Sequence, residues 1–435
     1  MMDQAVQLLV DYIRIDTTNP PGNEFRAAAF FQNIFQQEGI AFKTYESDSG
    51  RVSVRAVLKG NGAQKPLMLL NHMDVVSAEA EEWSMDPFGG EIKDGFIYGR
   101  GTLDMKSQGI MELMAFLEMK RSGIQLNRDI LFVATADEEN GGRHGIQFLM
   151  ENYPEDFSAD IVINEGGFGI SGMLPDKPVF MIAAAEKGLL WLKVKATGLP
   201  GHGSAPHGQN ALEKLTRAIA RLLAVKTPVI LTPIVQTYFT NLAAAGWDFL
   251  EPFRKDQKAE TLEELLTQTG FIQMPQIAAM LKNTISLTQL HAGEKTNVIP
   301  ASAEATFDTR LLPGQSPEEF IQWIQTTMDD DSLQLEILTL NEASESPVDT
   351  PCFRQIKEVI QTEFPMAMVT PSLLFATSDS RMLRRQGITT YGFCPAVIDV
   401  SDIQRIHGID ERISIENIHS GINVMIKIVH KLCTD

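Results

Sequence analysis

Three short apolar runs in this chain each stop on polar or acidic side chains. Leu67-Met-Leu-Leu leads to Asn71-His72-Met73-Asp74, Ile130-Leu-Phe-Val-Ala leads to Asp137-Glu138-Glu139, and Ile161-Val-Ile leads to Asn164-Glu165. Short apolar runs of this kind, separated by stretches of helical periodicity, read as buried parallel strands. Open α/β sheets collect their function at the carboxyl ends of such strands. The acids gathered there, with Asp104 between the first two runs, repel one another and resist ionising together unless cations hold them. The pattern predicts an α/β fold, a mostly parallel doubly wound sheet, carrying a two-metal hydrolytic site.

At 435 residues the chain is long enough for two domains with sizeable cores. With 44% hydrophobic and 21% charged residues it has an ordinary globular composition, which excludes disorder. A net charge of -19 argues against nucleic acid or an anionic membrane as partner. Cys352, Cys394 and Cys433 are widely spaced and form no C-x-x-C, which predicts a reducing compartment without disulfides. The first residues are amphipathic and acidic, unlike a signal peptide, and no apolar stretch approaches the ~20 residues of a membrane span. The expectation is a soluble, cytoplasmic protein.

Helices are predicted over about 3–15, 24–38 and 107–122, with a shorter one at 145–152. The turn Asp16-Thr-Thr-Asn-Pro-Pro-Gly-Asn closes the first. From Lys187 the texture changes to a half-exposed strand, a breaker-rich loop, helix 210–225, strands 284–291 and 303–311, helix 317–328 and a strand near 333–340. That order predicts an inserted α+β lid or dimerisation domain over 188–346, splitting the catalytic domain into 1–187 and 347–435. Residues 229–282 are the least patterned, with two helices expected near 259–268 and 275–282.

The residues themselves leave alternatives open. His72 and Asp74 share a strand face, so Asp74 can accept the second N–H of a metal-bound His72; a strand-end His held by ordinary hydrogen bonds is the plain reading. Asp104, in Gly99-Arg-Gly-Thr-Leu-Asp104-Met-Lys, reads as a ligand or as a helix N-cap. Glu138 and Glu139 read as one ligand and one general base, or as an exposed acidic loop. Glu165 ends a run otherwise wholly buried, where a lone Glu is seldom kept for stability. His407 reads as a ligand or a surface His. Mixed His and carboxylate donors suit Zn²⁺, with Co²⁺ or Mn²⁺ able to substitute, rather than Ca²⁺ or Mg²⁺.

Taken together, His72-Met-Asp74, Gly99–Lys106, Asp137-Glu-Glu139-Asn-Gly-Gly, Asn164-Glu165-Gly-Gly and His407-Gly-Ile-Asp-Glu-Arg resemble the co-catalytic dizinc family. That family holds aminoacylases, acetylornithine deacetylase, succinyl-diaminopimelate desuccinylase and Gly-X carboxypeptidases, and the zinc-exopeptidase-like fold goes with it. The resemblance implies that Asp104 bridges two Zn²⁺, that His72 and Glu165 complete one site, and that Glu139 and His407 complete the other. It makes Glu138 the general base and Asp74 the partner of His72. It further implies that His202, in Gly201-His-Gly-Ser-Ala, stabilises the oxyanion, from a second subunit if the chain is a homodimer. Asn297 and Arg310 would hold the substrate carboxylate, a task that suits a guanidinium. A turn His and a surface ion pair are the plain readings of His202 and Arg310, and His207 is a nearby rival lacking flanking glycines.

Other chemistries are disfavoured. Gly167-Phe-Gly-Ile-Ser-Gly172 matches a dinucleotide loop, but Pro175 and Pro178 forbid the helix such a loop must start. G-x-S-x-G and H-E-x-x-H are absent. The expectation is hydrolysis of an amide bond in a small carboxylate-bearing substrate, a dipeptide or N-acyl amino acid. Alternatives are a biosynthetic deacylase, a metal- or peptide-binding protein without catalysis, and a metal-free structural protein.

Overall fold

The computed structural model describes residues 2–434; residues 1 and 435, the outer ends of the expected catalytic parts, lie outside it. The three apolar runs form strands Leu67–His72, Ile130–Thr135 and Ile161–Asn164, buried along their whole length. With Thr389–Gly392 they make the parallel middle of an 11-stranded sheet. Burial on both faces explains why these strands are apolar throughout rather than alternating.

Helices cover both faces. Met2–Ile13, Phe25–Gln37, Lys106–Ser122, Pro351–Glu363 and Ile415–Thr434 pack on one side around Phe31, Phe116, Phe132 and Met425. On the other side Tyr45, Leu149, Phe157 and Leu383 form a smaller cluster over Leu70 and Val133. The wings of the sheet bring antiparallel pairs, Arg51–Leu58 against Ile130–Thr135 and Gly169–Leu174 against Lys177–Glu186. The sheet is therefore mixed, and parallel where the site lies. The glycine-rich decoy is the strand Gly169–Leu174, followed by another strand and not by a helix. Register fixes the site: Leu67 pairs with both Ile130 and Ile161, and His72 pairs with Thr135, so the strand ends stand level.

Strands Gly188–Thr197, Thr284–Ala292, Ser302–Leu311 and Gln334–Asn341 form a separate four-stranded antiparallel sheet. One face is covered by helices Ala211–Ala224 and Pro317–Met328 around Leu192, Leu215, Phe307 and Ile324. Asn210 caps the first by accepting the N–H groups of Leu212 and Glu213.

The segment 229–282 departs from expectation. Helices Ala259–Gln268 and Pro275–Leu281 are present, and so are Pro233–Ala245 and Glu251–Asp256, which periodicity did not reveal. Pro233–Ala245 is apolar around most of its surface, so its sequence carries little amphipathic contrast. Val235, Phe239, Leu242, Phe253, Leu262 and Met280 belong to the main core and not to the lid cluster. These helices bury their apolar faces in the core that also packs on the main sheet.

Candidate metal centre and active site

The strand end at His72 is buried, and its imidazole is fixed from behind: Nδ1 lies 2.9 Å from the Asp74 carbonyl oxygen. Nε2 then faces outward, 3.0 Å from Asp104 Oδ1 and 3.8 Å from Glu165 Oε1. The carboxylate of Asp74 is 3.7 Å from Nδ1, so the expected carboxylate–imidazole bond is replaced by one to the main chain. What the Asp74 carboxylate does instead is accept the backbone N–H groups of Glu138 (Oδ1, 3.1 Å) and Glu139 (Oδ2, 3.1 Å).

Asp104 hangs from a loop pinned by a residue sequence reasoning missed. Glu411 accepts the N–H groups of Gly101 (3.1 Å), Leu103 (2.6 Å) and Asp104 (3.1 Å), and pairs with Arg100 at 2.8 Å. Gly101 has φ +88° and a Cβ there would stand 2.9 Å from Val75, so the approach requires glycine. Asp104 does not cap the following helix, which begins after Met105 without a side-chain cap. Its second oxygen, Oδ2, lies 3.1 Å from His407 Nε2, and that nitrogen is 3.3 Å from Glu139 Oε2. Asp104 thus stands between two imidazoles contributed by parts of the chain more than three hundred residues apart.

The ligand atoms of His72, Asp104 and Glu139 lie within 4.8 Å of one another, as do those of His72, Glu138 and Glu165. Proximity alone does not distinguish Glu138 from Glu139; Glu139 also contacts His407. The donors fit two cations. Glu139 Oε1 is buried without a hydrogen-bond partner, an uncommon state for a carboxylate oxygen. Burial, followed by repulsion among the acids, raises the pKa of Glu138, Glu139 and Glu165. Burial opposes ionisation of Asp104 as well, but hydrogen bonds from His407 and His72 hold its carboxyl well below the ordinary range. Hydrogen bonds to Asp104 and Glu139 push His407 up to about 10. Acids that resist charge beside imidazoles that hold protons form a pocket suited to divalent cations.

A second layer holds the Glu138–Gly142 turn. Arg51 pairs with Asp137 (2.6 Å) and Glu24 (2.8 Å), and Asn19 donates to Asp74 (2.8 Å) and Asp137 (3.1 Å). From the other side Arg381 donates to the Gly141 carbonyl (2.6 Å), and Asp379 accepts from Thr135 Oγ1 (2.8 Å). Composition gave no sign of these partners; the Asn-Pro-Pro-Gly turn was the one visible signal.

The three lid candidates are bonded within the inserted sheet and its loops. Exposed His202 has its Nδ1 engaged by Ser204 (Oγ 2.7 Å, N 3.2 Å), on a two-residue strand paired with Val298–Ile299. Asn297 is exposed and its carbonyl accepts the Gly203 N–H at 2.8 Å, which ties the two loops together. Arg310 Nε and Nη2 grip Asp308 at 2.7 and 3.1 Å. His207 packs under Gly201, where a Cβ would meet its ring at 2.8 Å.

Comparison with known proteins is consistent with this arrangement. The model of peptidase family M20/M25/M40 matches residues 68–431. The N-fatty-acyl-amino acid synthase/hydrolase of Homo sapiens is 30% identical over 378 residues, 85% of this chain and 75% of that protein. Aminoacylase-1 of Sus scrofa is 27% identical over 445 residues, 99% of this chain and 95% of that protein. Among solved structures, an M20 family metallo-carboxypeptidase from Sulfolobus solfataricus superposes with TM-score 0.74 at 20% identity, covering 98% of each chain.

Proposed function

Because the chain belongs to peptidase family M20/M25/M40, we propose that this metal-dependent hydrolase cleaves the amide bond of an N-acyl amino acid or a dipeptide with a free carboxylate. The observation that carries the reading is Asp104, flanked by His72 and His407 at 3.0 and 3.1 Å. His72 and Glu165 would hold one divalent cation and Glu139 and His407 the other, with Asp104 shared; zinc is the proposed pair, with Co²⁺ or Mn²⁺ as substitutes. When bound, the ions supply Lewis-acid polarisation and a more acidic water.

Glu138 is the group free to move the proton. Its carboxyl takes a proton from the attacking water and hands it to the departing amine nitrogen, so that water and amide become acid and amine. Burial, ahead of Asp379 and Glu139, raises its pKa and gives it the basicity the transfer needs. Arg310 and Asn297 on the lid would grip the substrate carboxylate. His202 would face the developing oxyanion, and since it is exposed and makes no bond to the cluster of its own chain, a second copy is its proposed destination.

The names of the relatives favour N-acyl amino acids, one being an N-fatty-acyl-amino acid synthase/hydrolase and another an aminoacylase. The test is a panel of N-acyl amino acids and dipeptides assayed with Zn²⁺ or Co²⁺ supplied. Hydrolysis of carboxylate-bearing members, and not of their amidated counterparts, is the expected result. Turnover of amidated substrates at equal rates would refute the carboxylate requirement.

A further inference from the structure

We propose that Asn19 is a positioning residue for the base, acting through Asp74 and Asp137; this rests on the reading of Glu138 given above. Asn19 is buried in the breaker-rich turn after the first helix, and its backbone N–H is anchored to the Val75 carbonyl at 2.9 Å. Its side-chain amide spans two carboxylates, donating to Asp74 Oδ2 at 2.8 Å and to Asp137 Oδ1 at 3.1 Å. Arg51 Nη1 donates to its Oδ1 at 3.3 Å, which fixes the way the amide faces.

Each of those carboxylates holds main chain of the catalytic turn. Asp74 accepts the N–H groups of Glu138 and Glu139, while Asp137 Oδ2 accepts the His144 N–H at 2.8 Å. Asp137 itself has φ +68°, so its own backbone does not rest in a broad minimum and depends on such ties. Two acids side by side at the strand end would push apart without a donor between them. The amide of Asn19 is that donor, and it carries no charge that would compete with a cation. Through it the position of the Glu138 backbone is set from a turn whose Asn19 bonds to Asp74, Asp137, Arg51 and Val75. Displacing a catalytic group by about 1 Å costs on the order of 100-fold in rate.

Asn19→Ala and the isosteric Asn19→Asp separate this role from packing. Both variants, and Glu138→Gln alongside, are compared with the wild type for bound metal, melting temperature, KM and kcat. Asn19→Ala is expected to keep its full metal content and its KM within about 2-fold, and to lose about 10- to 100-fold in kcat. Asn19→Asp preserves shape but sets a third carboxylate against Asp74 and Asp137, so its kcat falls at least as far. Wild-type kcat in Asn19→Asp would overturn the proposal, and so would a loss in Asn19→Ala explained by a lower folded fraction or by lost metal. If Glu138→Gln keeps wild-type kcat, the reading of the base itself fails; if it is inactive while both Asn19 variants are normal, the positioning role alone fails.

Discussion

Asp74 Oδ1 accepts the backbone N–H of Glu138 at 3.1 Å, a bond between the residue two places after His72 and the main chain of the proposed base. With Oδ2 on the Glu139 N–H, one carboxylate aligns two consecutive residues whose side chains are given opposite tasks. His72 is oriented separately, by the Asp74 carbonyl. One residue therefore sets the ring on one side of the cluster and the acid pair on the other.

Asp74→Asn tests this. An amide group must present N–H where one of two backbone N–H donors now points, leaving that donor unpaired in a buried place, at a cost of about 1–3 kcal/mol. The variant should keep its metal, since the Asp74 carbonyl still orients His72, and lose roughly 100-fold in kcat. Lost metal with normal turnover per bound ion would restore the carboxylate–imidazole role.

His407→Ala removes a donor from only one side of Asp104. Metal titration should show one tight site left and the other weakened on the order of 10- to 100-fold or more. Equal weakening of both would mean that His407 acts on the site as a whole.

Arg310 is held by Asp308 through Nε and Nη2, which orients the guanidinium and leaves Nη1 for a ligand. Arg310→Lys keeps the charge and loses the planar fork. KM for a carboxylate-bearing substrate should rise about 10-fold with less change in kcat, the pattern of lost ground-state binding. An unchanged KM would leave Arg310 as a partner of Asp308 alone.

Glu112, wholly buried in helix Lys106–Ser122, accepts from Asn71 and Gln108 at 3.0 Å each, and burial raises its pKa from 4.5 to about 8. The folded state thus holds this proton more tightly than the unfolded chain. Its contribution to stability is complete below pH 4.5 and is lost as pH rises to about 8, at up to roughly 1.4 kcal/mol per pH unit. Glu112→Gln removes the titration, and Asn71 Oδ1, buried without a partner, can accept from the new amide. The variant should melt above the wild type at pH 8, with the gap closing toward pH 5. A gap that does not vary with pH would contradict the assignment.

Much of this was legible in the chain because strand ends announce themselves: His72, Glu138, Glu139 and Glu165 each follow a run too apolar to be anything but buried. Asp104 and His407 were visible through their motifs, and the structure brings both to the same point. Arg51, Asp379, Arg381 and Glu411 were not visible, and Asn19 only as part of a turn, since what they do is bond to groups far away in the chain, and no local periodicity records that. The core that receives helices 233–281 was not legible for a related reason. Apolar positions show that a helix buries a face, but not which core receives it.

The central claim, two cations with Glu138 as the base, is tested most directly by metal analysis of wild type and Glu138→Ala, each assayed on the same preparation. The account predicts about two Zn²⁺ per chain in both, with turnover in the variant reduced ~10²–10⁴-fold. A folded wild-type enzyme fully active without metal, or a variant with two ions and undiminished turnover, would contradict it.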